Sequence, residues 1–366
     1  MIPGLPARPG DSIKPQIRTA LAHPDGVVGL SLGNPVDEVP EVIRAALAAG
    51  SGIPGYPPTH GTEELRAAIV AALERRFGIT GLAESAVLPT IGSKEIVAAL
   101  PRLLGLGPGD TVVIPELAYP TYEAGAWLTR AEAVRAGQAP GLAAGRRGKT
   151  LIWMNSPSNP AGLVHSAKDM RALVAAARAE GAVVASDECY LAFGWQEQPV
   201  SVLHPAVCDG DHTGLLAVHS FSKTSNLAGY RAGFVAGDPA LIAGMLEIRQ
   251  HSGLIVPWPV QHAMAAASSD DTHVLGQRER YRARRAMLRP ALRAAGFRID
   301  DSAAGLYLWA TAGEDAMKTV TRLAEQGILV SPGSLYGPAG GQHVRVAFTA
   351  SDERIRAAVS RLTAMT

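Results

Sequence analysis

Leu215-Leu216-Ala217-Val218-His219-Ser220-Phe221-Ser222-Lys223-Thr224-Ser225 is an apolar run of strand length that breaks into hydroxyls around one lysine, with Arg231 eight residues further on. The run reads as a buried strand, and its end is a fixed anchor for the residues beyond it. A lysine amine held there and partly desolvated keeps a usable neutral fraction, the condition for bonding to a carbonyl carbon. Ser220 and Ser222, with the Arg231 guanidinium, are groups that bind a phosphate beside such an amine. Taken alone the stretch also reads as an exposed loop lysine beside turn serines, so the segments around it decide.

Working outward, short β-rich runs at 111–114, 151–154, 182–186, 215–219 and 232–235 alternate with helical stretches. The stretch 166–180 has the length a crossover needs, which favours parallel pairing over hairpins. Residues 63–77 carry apolar side chains at Leu65, Ala68, Ile69, Ala72 and Leu73, the spacing of an amphipathic helix, with Thr62 as its N-cap. A second helix is expected near 95–104. Beyond Pro257-Trp258-Pro259, read as a break, come an arginine-rich helix around 278–295, a strand at 306–310 and a helix at 316–326. Strands at 328–331 and 343–348 and a final helix from Asp352 complete the chain. The expected fold class is α/β: a large domain with a mainly parallel sheet flanked by helices, plus a smaller α+β domain. The expected division is an N-terminal arm at 1–43 that opens on an irregular Pro/Gly-rich leader and joins the small domain, a large domain at 44–256 and a small C-terminal domain at 257–366.

With 366 residues, 47% apolar and 18% charged, the chain has the composition of a soluble globular enzyme. The 34 basic and 33 acidic residues leave a formal charge of +1, which gives no bulk attraction toward nucleic acid or an anionic membrane. Cys189 and Cys208 form neither a disulfide framework nor a metal-ligand pattern. No apolar export segment opens the chain, and no charge-free apolar stretch reaches spanning length. A cytoplasmic protein acting on small molecules, without a metal, is expected.

In open α/β sheets ligands bind beyond the carboxyl ends of the strands, and the polar residues gather there. Asp187 closes a buried strand, where an acid requires a cationic partner; a protonated pyridine nitrogen is one, and a structural salt bridge or helix cap is another. Tyr190 and Asn159 are placed to donate to a phenolate oxygen, although the Asn155-Ser156-Pro157-Ser158-Asn159-Pro160 segment is also a plain turn former. Gly92-Ser93-Lys94-Glu95 opens a helix whose free amides suit a phosphate, without a P-loop pattern. Tyr119 reads either as a ring stacked on a planar cofactor or as a core aromatic. Arg345, between apolar neighbours in an alternating strand, fits a carboxylate bidentately. A lysine, a phosphate site and a buried acid together point to pyridoxal phosphate.

These motifs closely resemble those of the fold-type I pyridoxal-phosphate aminotransferases of class I/II. The resemblance is carried by Leu32-Gly33-Asn34-Pro35, Tyr56 ahead of Gly61, Gly92-Ser93-Lys94, Tyr119-Pro120, Asn159-Pro160-x-Gly162, Asp187-Glu188-x-Tyr190, Ser220-x-Ser222-Lys223, Gly229-x-Arg231-x-Gly233 and Arg345. Ala161 stands where the motif usually has Thr or Ser. The resemblance implies Lys223 as the lysine bonded to the cofactor and as the proton carrier. It implies Asp187 on the ring nitrogen, Tyr190 and Asn159 on the phenolate, and Tyr119 against the ring face. The phosphate then meets the Ser93 and Lys94 amides, Ser220, Ser222 and Arg231, while Gly33, Asn159 and Arg345 bind the substrate α-carboxylate. It also implies a homodimer in which Tyr56 reaches the neighbouring subunit's phosphate.

Within the group the chain is most similar to actinobacterial N-succinyldiaminopimelate aminotransferases of lysine biosynthesis. The matching stretches are Ala22-His23-Pro24-Asp25-Gly26, Pro115-Glu116-Leu117-Ala118-Tyr119-Pro120-Thr121-Tyr122 and Gly305-Leu306-Tyr307-Leu308-Trp309-Ala310, with much of 200–220. The implied reaction moves an amino group between N-succinyl-LL-2,6-diaminopimelate and 2-oxoglutarate. Alternatives on the same residues are an aspartate or aromatic aminotransferase, a C–S β-lyase, and a non-catalytic module that senses the cofactor.

Overall fold

The computed structural model describes residues 11–136 and 148–365, so the expected leader at residues 1–10 lies outside the described residues. Seven short strands form one sheet in the order Val87–Ile91, Ala232–Gly237, Leu215–Ser220, Val183–Asp187, Thr150–Asn155, Thr111–Pro115, Glu132–Ala136. The last five pair in parallel, while Ala232–Gly237 runs antiparallel to both its neighbours. Strands such as Thr150–Asn155 and Ala232–Gly237 are buried along their whole length, as expected where helices cover both faces of a sheet. Val87–Ile91 has no counterpart in the sequence reading. Its Pro89 argues against a central strand, and the structure uses it at the sheet edge.

Local chemistry sets the flanking helices. Thr62 Oγ1 accepts from the Leu65 amide at 3.1 Å and starts Glu63–Phe77, a cap worth about 1 kcal/mol. That helix buries Leu65, Ile69 and Leu73 against the sheet, each worth about 2 kcal/mol of apolar burial. Ser166 caps the crossover helix Ala167–Ala179 in the same way. Pro257-Trp258-Pro259 is the start of helix Trp258–Ser269 and not a break: proline fits the first turn because its missing N–H has no partner there.

A second core lies around a four-stranded sheet ordered Ser331–Pro332, Val344–Ala347, Tyr307–Thr311, Arg298–Asp300, with the 23-residue helix Thr272–Ala294 and helix Asp352–Thr363 packed together beside it. The 328–331 segment, expected as one strand, divides. Ile328–Leu329 pairs in parallel with Val28–Gly29, and Ser331–Pro332 pairs with Val344–Ala347, where Pro332 sits at the edge. The segment ahead of the sheet is not all irregular. Helix Lys14–Leu21 packs on Ala316–Glu325, and Gln16 Nε2 donates to Thr321 Oγ1 at 3.1 Å. Ile13, Val28 and Leu30 belong to this second core, whereas Ile43, Ala263, Met264 and Ala267 belong to the first. We therefore propose to draw the later division at about residue 270, after helix Trp258–Ser269, in place of 256.

Candidate active site

Strand register brings the polar residues to one rim. Asn155 pairs with Asp187 and Asp187 with Val218, so three adjacent strands end together and hand over to Asn159, Tyr190 and Lys223. Asn155 ties two of these ends: its Nδ2 donates to the Asp187 carbonyl at 2.9 Å and its Oδ1 accepts from the Asn159 amide at 2.7 Å. A cavity of about 580 Å³ opens above the rim, lined by Gly33, Ser93, Lys94, Tyr119, Asn159, Asp187, Tyr190, Ser220, Ser222, Lys223, Arg231 and Arg345. Every expected site residue except Tyr56 lines it.

Asp187 is 6% exposed. Its carboxylate accepts from the Tyr122 hydroxyl at 2.8 Å and from the Cys189 amide at 3.2 Å, yet no cation pairs with it among the described residues. Burial pushes its carboxyl above the usual range, and the donors from Cys189 and Tyr122 pull it back. A buried acid facing a cavity in this state fits a protonated ring nitrogen.

The Lys223 amine hydrogen-bonds to nothing among the described residues, and burial draws it down to about 8, with Arg345 and Arg231 adding repulsion. Ser220 ends its strand, and its hydroxyl accepts from the Ser222 amide at 3.1 Å, which fixes the turn that carries Lys223. Opposite, helix Ser93–Leu103 points its free amides at the cavity. Gly233 is packed so closely that a Cβ would stand 2.8 Å from the Ser93 nitrogen, and one on Gly92, at φ +74°, would collide with the Arg231 guanidinium. Only glycine lets that amide end, the serines and Arg231 close on one small anion.

Arg345 completes the other end. Its Nη1 donates to Asn159 Oδ1 at 2.8 Å and its Nη2 to the Ser31 carbonyl at 2.6 Å, while its Nε is buried without a partner. Guanidinium carbon Cζ lies 4.1 Å from the Tyr307 ring centre and 5.0 Å from that of Tyr336. A cation held between two rings with donor capacity unspent is set for a carboxylate. The buried acid, the low-pKa amine, the anion cup and this arginine share one cavity.

Residues 25–362 match the family described as aminotransferase class I and II. The chain belongs to that family. It is therefore a pyridoxal-phosphate-dependent aminotransferase of the fold-type I architecture, with amino and keto acids as its substrates. It is 58% identical over 359 residues to a protein of Mycobacterium tuberculosis named "Probable aminotransferase", covering 98% of this chain and 85% of that one. It is 55% identical to the 4-dedimethylamino-4-oxo-anhydrotetracycline transaminase OxyQ of Streptomyces rimosus, covering 98% and 99%. The solved structure of substrate-bound BacF from Bacillus subtilis superposes with a TM-score of 0.85 at 27% identity, covering 99% of this chain and 96% of that one.

The cavity also contains groups that the sequence alone did not assign. Tyr122 supports Asp187 from helix Pro120–Thr129, three residues after Tyr119, a one-turn spacing that a helix reading of 119–129 would have exposed. Tyr307, Leu32, Asn34 and Cys189 also line the cavity. Tyr56 does not: it stands 92% exposed on a loop between helices. No helix among the described residues is long and apolar enough to cross a membrane.

Proposed function

We propose that this chain transaminates N-succinyl-LL-2,6-diaminopimelate, with glutamate and 2-oxoglutarate as the second pair. When bound, pyridoxal phosphate supplies a carbonyl that accepts the amino group and a ring that takes up the electron pair left on the substrate Cα. Asp187, backed by Tyr122 and the Cys189 amide, holds a positive charge on the ring nitrogen. Arg345 donates to Asn159 Oδ1 and so orients the amide, and Asn159 Nδ2, without a partner among the described residues, would donate to the phenolate together with Tyr190. The Ser93 and Lys94 amides, Ser220, Ser222 and Arg231 hold the phosphate, and Tyr119 covers the ring. Arg345, Asn159 and the Gly33 backbone would bind the α-carboxylate in the cavity that also holds Lys223. Lys223 Nζ, which burial draws down to about 8 so that a usable neutral fraction exists near neutral pH, would take the Cα proton as general base.

A buried Asp187 with no paired cation among the described residues, facing the same cavity as Lys223 and Arg345, is the observation that carries the chemistry. Support for the substrate is of two kinds: the sequence stretches similar to succinyldiaminopimelate aminotransferases, and a protein of Desulforudis audaxviator named LL-diaminopimelate aminotransferase that is 32% identical over 75% of this chain. A cavity of about 580 Å³ is within the range that takes a cofactor and an extended amino acid together. The similarity to OxyQ favours one competing reading, amination of a ketone on a larger polycyclic substrate. We also place the enzyme as a cytoplasmic homodimer in which Tyr56 of a second copy reaches the phosphate.

A half-reaction screen tests this. Glutamate is expected to convert the visible spectrum of the loaded enzyme, and the succinylated keto acid to restore it at lower concentration than simple keto acids. Restoration by simple or polycyclic ketones alone sinks the substrate assignment while leaving the transaminase chemistry standing.

A further inference from the structure

Tyr307 touches all three parts of the carboxylate end and has no role assigned above. It is 3% exposed and lies on the same small sheet as Arg345, which pairs with Trp309 two residues along. Its hydroxyl is 2.8 Å from that of Tyr190, the two rings meeting edge to face at 5.5 Å. Its ring stacks under the Arg345 guanidinium at 4.1 Å, and a Cβ on Gly33 would collide with its hydroxyl.

Among the described residues neither hydroxyl has another hydrogen-bond partner, so one proton lies between the oxygens and the other is free for the cavity. Either oxygen can be the donor, and the position of Arg345 over the Tyr307 ring favours Tyr307. A guanidinium over the Tyr307 ring withdraws electron density from that phenol and makes it the stronger donor. Tyr307 then gives its proton to Tyr190 Oη, and the Tyr190 proton turns outward. The charged and titratable groups acting on the pair are Arg345, Cys189, Tyr119, Tyr281 and Tyr336, and Asp187 and Lys223 line the same cavity. Of the two cations, Arg345 is the one over the Tyr307 ring.

We propose that Tyr307 is a positioning residue: its hydroxyl aims the Tyr190 proton into the cavity, and its ring holds Arg345 flat for a carboxylate. One side chain thereby couples the carboxylate site to the hydroxyl that faces the cofactor. The inference rests on the reading of this cavity as the pyridoxal-phosphate site.

The test is a pH titration of the visible absorbance of pyridoxal phosphate bound to wild type, Tyr307→Phe, Tyr190→Phe and the double variant. Tyr307→Phe keeps the ring on Arg345 and removes only the hydroxyl. Its titration midpoint is expected to rise by about half to one pH unit, because Tyr190 loses the donor that strengthens and orients it. In the Tyr190→Phe background the same change is expected to move the midpoint no further. Tyr307→Leu, which also removes the ring, is expected to raise KM for the amino donor about tenfold beyond Tyr307→Phe. A Tyr307→Phe midpoint equal to wild type, or a shift that persists without the Tyr190 hydroxyl, overturns the proposal. A wild-type protein that shows no visible pyridoxal-phosphate band overturns the underlying site reading instead.

Discussion

The floor and the mouth of the cavity are built on opposite terms. At the floor, Asn155, Asp187 and Ser220 end neighbouring strands, and Asp187 is 6% exposed with both carboxylate oxygens hydrogen-bonded. At the mouth, Leu32 is 72% exposed, and outside it Val36 and Tyr56 reach 51% and 92%. The contrast separates chemistry from selection. Groups that shift an amine or hold a buried charge must be desolvated and fixed, so one chain's sheet has to supply them. Groups that meet the distal part of a substrate, or a second copy of the chain, are left unpacked by this chain alone.

The contrast breaks most visibly at Lys223. Lys223→Ala is expected to lose the cofactor's visible band and to lower transamination by at least about 10³-fold, measured by absorbance and by coupled assay. Turnover near the wild-type rate would mean that the floor does not do the chemistry. Arg345→Ala comes next. It is expected to raise KM for the amino donor about 100-fold with the visible band intact, and Arg345→Lys to recover little, since an ammonium cannot replace a stacked fork.

Rates probe the floor without mutation. Below pH 8 the Lys223 amine is mainly ammonium, and its neutral fraction rises about tenfold per pH unit until it levels off near 8. Recombination of cofactor-free protein with pyridoxal phosphate is expected to track that curve. A rate still climbing past pH 10 would place Lys223 in water. Tyr122→Phe removes one of the two donors to Asp187 and is expected to weaken cofactor retention about fivefold, read from the dissociation constant. Smallest is Leu32→Ala at the mouth. Thermal stability should stay within about 0.5 kcal/mol of wild type while the ratio of kcat/KM between long and short amino donors changes. A ratio that stays constant would remove Leu32 from substrate selection.

The parts of the site legible in the sequence were those in which one residue type at one spacing serves one purpose. Lys223 between serines, Asp187 at a strand end and Arg345 among apolar neighbours each pose a desolvation problem that a reader of the sequence can see. Tyr122 and Tyr307 were not visible, because a tyrosine in a core and a tyrosine supporting a site look the same until the contact is known. The split of 328–331 was hidden for a related reason: each half pairs with a segment far away in the chain, Val28–Gly29 on one side and Val344–Ala347 on the other.

Local pattern thus determined the alternating architecture, the capped helices and the identity of the lysine, acid and arginine, since these arise from periodicity and from the energy of burying charge. Tertiary structure alone decided that Asp187 has no cation of its own among the described residues, that Arg345 lies against both Tyr307 and Tyr336, and that the Tyr190 and Tyr307 hydroxyls are hydrogen-bonded. Those facts depend on which side chains from distant strands meet in one cavity, and sequence spacing carries no record of that.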